Sequence, residues 1–182
     1  MVFDKERSLA ELALAGRAAA DLSDLQKREW PPVANRIREA RLRTSLSDTE
    51  VARRLGMTVD SYDDLERHDD EAFTVVSLKD LHALGRVLLS VCPKVLLLGR
   101  EAEGLEQTVT FSEITTRLAE RISKEGLTAE QLSDLIGWDI KEVLRDPEAL
   151  WGFTVEGLYD ICKAIGLDWV AAIPSLNRPK GS

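Results

Sequence analysis

Few residues in this chain have the type and spacing that chemistry needs. The only histidines are His68 and His82, and the only cysteines Cys92 and Cys162. Neither histidine lies one turn from another metal ligand on a helix, and the cysteines are too far apart for a zinc spacing or a disulfide framework. His68-Asp69-Asp70-Glu71 would bind a cation weakly; a solvated charged loop is the simpler reading. No HExxH and no glycine-rich phosphate loop is present. These absences predict no catalytic residue, no metal, no cofactor and no enzymatic role. Two charged sets remain. Arg36, Arg38, Arg41, Arg43, Arg53 and Arg54 cluster in sequence and suit phosphate oxygens. They suit equally a solvated face paired with neighbouring acids. Asp60, Asp63, Asp64, Glu66, Asp69 and Asp70 follow directly, and would repel a polyanion or attract a basic surface.

The elements that must position these groups are helical. An internal repeat organises them. LSDTEVARRLGM (46–57) aligns with LTAEQLSDLIGW (127–138) at an offset of 127 − 46 = 81, and Ile37 aligns with Leu118 at the same offset. Further on, LKDLHALGRVL (78–88) aligns with VEGLYDICKAI (155–165) at 155 − 78 = 77. Ser47-x-x-Glu50 and Thr128-x-x-Gln131 both read as capping boxes, in which each side chain satisfies a free N–H at the helix start. Val51 and Leu55, like Leu132 and Ile136, make one apolar face, and Gly56 and Gly137 sit where a left-handed C-cap is wanted. Two short helices around a tight glycine turn make a helix-turn-helix. The spacing predicts helices near 34–43, 48–55, 58–67 and 78–89, then near 112–124, 129–136, 139–145 and 155–165. Segments 91–98 and 106–111, rich in Val, Leu and Thr, predict a short strand pair at the junction.

Residues 5–29 carry an apolar stripe through Leu9, Leu12, Ala13, Gly16, Ala19 and Ala20. They read as one helix, stopped at Trp30-Pro31-Pro32. The stripe would pack on the rest of the chain or serve as a dimerisation arm. The expected organisation is an N-terminal arm (1–32), a helical bundle (33–98), a linker (99–110), a second bundle (111–174) and a tail (175–182).

Composition bounds the function. The chain has 182 residues, 44% hydrophobic and 31% charged, with a net charge of −8. Such an acidic balance repels nucleic acid on average, so any nucleic-acid contact needs a local basic patch. Glu11 and Arg17 interrupt the Ala/Leu-rich start, which argues against a signal peptide. VLLLG at 95–99 is too short to span a bilayer. No membrane association and a cytoplasmic location are expected.

The stretch IREARLRTSLSDTEVARRLGMTVDSYDDLER resembles the Cro/C1-type (XRE) helix-turn-helix family over most of 34–90, with a weaker version over about 112–170. The resemblance implies an all-α fold of tandem lambda-repressor-like bundles. It also implies a homodimer and a bacterial DNA-binding transcriptional regulator, such as an antitoxin-like autoregulator. The candidate DNA-binding residues are then Arg36, Arg38, Arg43, Ser47, Arg53, Arg54, Thr58 and Ser61. Arg41 and Glu66 stand where the family has an ion pair tying the first helix to the recognition helix. In the second copy their places are taken by Ile122 and Pro147, and Ile122 is expected to be buried.

The sequence departs from the family where bases would be read. Asp48 and Ala129 replace a common Gln, and the groove-facing helix carries Asp60 and Asp63. A carboxylate beside a phosphate costs about 1 kcal/mol even in water. The alternative is a protein-binding module on the same scaffold, neutralising a toxin or another basic partner through Asp60, Asp63 and Asp64. Trp138 and Trp151 would act as contact residues if exposed. An exposed arginine cluster around a concave dimer face would favour the regulator, and a continuous acidic surface over 58–71 the module.

Overall fold

The computed structural model describes residues 30–89, 91–99 and 108–174. The expected helix at 5–29 and the tail therefore lie outside the described residues. Pro31–Ser182 forms one compact unit.

Within it the protein is all-α. The first half contains α1 (Ala34–Thr44), α2 (Asp48–Leu55), α3 (Val59–Leu65), α4 (Glu71–Thr74), α5 (Leu78–Val87) and α6 (Pro93–Leu98). The second contains α7 (Phe111–Glu125), α8 (Ala129–Ile136), α9 (Lys141–Arg145), a 3-10 helix at Pro147–Gly152, α10 (Val155–Ile165) and α11 (Trp169–Ala172). The order of elements in the first half thus recurs in the second, with the 3-10 helix in the place of α4.

Local chemistry explains the helix ends. Ser47, Thr58, Ser77, Thr110, Thr128 and Thr154 each accept a bond from the backbone N–H three residues on. Gly56 (φ 71°) and Gly137 (φ 83°) end α2 and α8 in the left-handed region, which an L side chain enters only at a cost. The Thr128–Gln131 capping box is complete, but the Ser47–Glu50 box is one-sided. Glu50 does not reach back to the Ser47 N–H, because its carboxylate is held by Arg53 and Arg54 on the next turn. The start of α1 is capped from a distance. Val33 offers no side-chain oxygen, and Asp69 Oδ1 accepts from Val33 N at 2.7 Å and Ala34 N at 2.9 Å.

No strand occurs among the described residues, so the expected strand pair is corrected. Residues 106 and 107 lie outside them, but 93–98 is helical. Pro93 is preset for a first helical turn, and Leu96 and Leu97 are buried, with α6 packed on α5. Tertiary burial overrides the strand preference of a Val/Leu-rich segment.

One core runs through both halves. Ile37, Val51, Tyr62, Phe73, Leu81 and Leu84 are buried in the first, and Ile114, Leu118, Leu132, Val143, Leu158 and Ile161 in the second. α4 packs on α10, and α5 on the 3-10 helix. Between them Ser77 and Thr154 form an isolated antiparallel bridge, and Leu78 N donates to Phe153 O at 2.7 Å. Ser77 and Thr154 are the N-caps of α5 and α10 and correspond at the second sequence offset, 154 − 77 = 77.

Candidate functional site

The stretch from α1 to α4, residues 34–74, carries two charged sets in very different states. The arginines are largely spoken for. Arg36 Nε donates to Leu96 O at 2.7 Å and Nη2 to Leu97 O, so its guanidinium closes the end of α6 rather than facing a ligand. Burial lowers its pKa, against the pull of Asp69. Arg53 and Arg54 share the Glu50 carboxylate at 2.9 and 2.8 Å. The Arg53 and then Arg54 bonds pull Glu50 down to about 2, so it is charged across the ordinary pH range. Arg38 lies 3.5 Å from Glu66. Arg43 is exposed and makes no ion pair among the described residues.

Arg41 and Glu66 form a bidentate pair, Nε to Oε1 at 2.6 Å and Nη2 to Oε2 at 2.8 Å. Their side chains are 16% and 4% exposed. Burial alone would raise the Glu66 pKa, but the bonds from Arg41 and its neighbours outweigh burial and hold the carboxyl below the usual range. Buried Tyr62 stands beside the pair; burial first, then Glu66, pushes its phenol above the usual value. In the second half the corresponding Ile122 is half-buried, not buried as expected. It lies in the last turn of α7, and no charged partner has to be enclosed there.

The acids of 58–71 divide by partner. Glu66 serves Arg41, Asp69 caps α1, and Asp63 binds Arg67 at 2.8 Å. Asp60, Asp64, Asp70 and Glu71 make no ion pair among the described residues; the three aspartates are exposed and Glu71 is half-buried. Thr58 and Ser61 are exposed at the start of the same helix, but they bond to each other, 2.7 Å between hydroxyls. Ser47, also exposed, is occupied with its cap.

A groove of about 220 Å³ opens beside this helix, between α3 and the α4–α5 turn. Met57, Val75 and Val76 give it apolar walls; Asp64, Glu71 and Asp80 supply carboxylates. The sequence reading missed it because it joins positions up to 23 residues apart, 80 − 57 = 23.

The two tryptophans are packed rather than presented. Trp138 Nε1 donates to Asp160 at 3.1 Å, and its ring lies against Phe153. Gly157 makes room for both rings, since a Cβ there would meet Phe153 at 3.1 Å and Trp138 at 3.2 Å. Trp151 donates to Glu148 at 3.0 Å and meets His82 and Phe111 edge-on, so it joins the two halves. Neither is fully buried. Cys162 is buried, which pushes its thiol up to about 12. Among the described residues no group of three His, Cys, Asp or Glu could hold a metal ion, and no helix is long and apolar enough to cross a membrane.

No protein-family model matches the chain, and neither a curated protein nor a solved structure matches it.

Proposed function

We propose that this chain is a cytoplasmic binding protein without catalytic activity: a Cro/C1-type helix-turn-helix scaffold whose acidic face engages a basic protein partner, in the manner of an antitoxin-like neutraliser. One observation carries the reading. On the face that would meet DNA, Asp60, Asp64, Asp70 and Glu71 make no ion pair among the described residues, while Arg36, Arg38, Arg53 and Arg54 are each engaged by groups of the same chain. A phosphate approaching α3 meets the exposed carboxylates of Asp60 and Asp64, each costing about 1 kcal/mol at contact in water. A basic surface gains the same interactions with the opposite sign, and its association is accelerated.

The test is an affinity pull-down with the full-length chain beside the Asp60→Asn/Asp64→Asn variant, at low and raised salt. The wild type is expected to retain a protein with a basic contact surface, and both the variant and the raised salt to release it. Retention of the same proteins by both chains contradicts the reading.

A second reading, an autoregulating DNA-binding homodimer, is favoured by one feature. Arg43 makes no ion pair among the described residues, and Arg53 is 70% exposed, so its surface bond to Glu50 is weak enough to exchange for a phosphate.

A further inference from the structure

The acidic face has a cavity at its side, and the cavity has a chemistry of its own. Val75 is 66% exposed, although it is β-branched and apolar, and with Met57 and Val76 it walls the groove. Asp64, Glu71 and Asp80 all line the same groove. No lysine or arginine among the described residues is within ion-pair distance of any of them. Asp80 gives one oxygen to the Ser77 hydroxyl at 2.7 Å, which leaves its charge uncompensated. Like charges around one concavity repel each other, and low-dielectric walls concentrate their field. The arrangement is unfavourable to an empty, isolated protein and favourable to a cationic occupant with an apolar body.

We infer that this groove is the docking point for one short segment of the basic partner, in which an aliphatic side chain enters between Met57 and Val75 while a flanking lysine or arginine meets Asp64, Glu71 and Asp80. This rests on the acidic-face reading and adds the ligand class: an amphipathic basic peptide rather than a polycation. The volume of about 220 Å³ suits a few side chains. The apolar contact supplies affinity that persists in salt, and the carboxylates supply selection for positive charge.

A random twelve-residue peptide display library, panned on the immobilised full-length chain, separates the possibilities. The expected enriched peptides combine Leu, Ile or Met with Lys or Arg. Their affinity should fall at least tenfold for Val75→Gln, an exposed substitution that leaves the core and the charge intact. Asp64→Asn/Glu71→Gln should weaken the same peptides and flatten their salt dependence. Enriched peptides that are basic but not aliphatic, sensitive to Asp60→Asn/Asp64→Asn and indifferent to Val75→Gln, overturn the groove and leave the acidic-face function standing. Enrichment without any basic preference, or no enrichment, overturns the groove; loss of the wild-type pull-down as well overturns the function with it.

Discussion

The Arg41–Glu66 pair is the most consequential polar contact at the scale of single residues. It is bidentate and largely enclosed, so removing one member strands the other charge. Arg41→Ala should destabilise the fold by about 3 kcal/mol, read from urea midpoints; a loss below about 1 kcal/mol would contradict the geometry. The pair also sets an acid limit. Glu66 is held below its ordinary value of 4.5, so its contribution is complete at neutral pH. It is lost as pH falls from the unfolded value through the lower folded one. Stability of the wild type should therefore decline below about pH 4.5, and Glu66→Gln should be weaker at pH 7 but flatter over that window. Parallel pH profiles for the two chains would contradict the assignment.

The elements were legible wherever a cap, a period and a glycine coincide. The eight-residue α2 and α8 stand at 48–55 and 129–136, as the doubled pattern predicted. α3 is shorter than expected because the backbone turns at Glu66, and α9 starts late because Asp139 bonds to the N–H of Lys141. α4, α11 and the 3-10 helix carry too few residues to show a period. The remote cap on α1 could not be read either, since Asp69 lies 35 and 36 residues from the N–H groups that it serves. The candidate face was half legible. The acids of 58–71 were visible in sequence, but which of them are spent on Arg41, Arg67 and the α1 start depends on the fold. Asp69→Ala should cost about 1 kcal/mol, as loss of an N-cap does. A stability change within error in chemical denaturation would show that water replaces it fully.

At the scale of the whole molecule, the two halves share a core and a bridge, through α4 on α10, α5 on the 3-10 helix, and Ser77 with Thr154. Such a unit should unfold once. Tryptophan fluorescence of a Trp30→Phe variant, whose remaining Trp138, Trp151 and Trp169 all lie in the second half, should report the same urea midpoint as helical circular dichroism from both halves. Two separated midpoints would mean that the halves are independent domains. The central claim is that the face over 58–71 has been given to a basic partner and not to DNA. It is tested most directly by titrating the full-length chain into a fluorescent duplex of its own upstream DNA at low salt. The account predicts no binding by the wild type there. Binding that falls steeply with salt and is lost in Arg43→Ala, the mark of phosphate contacts, would contradict it.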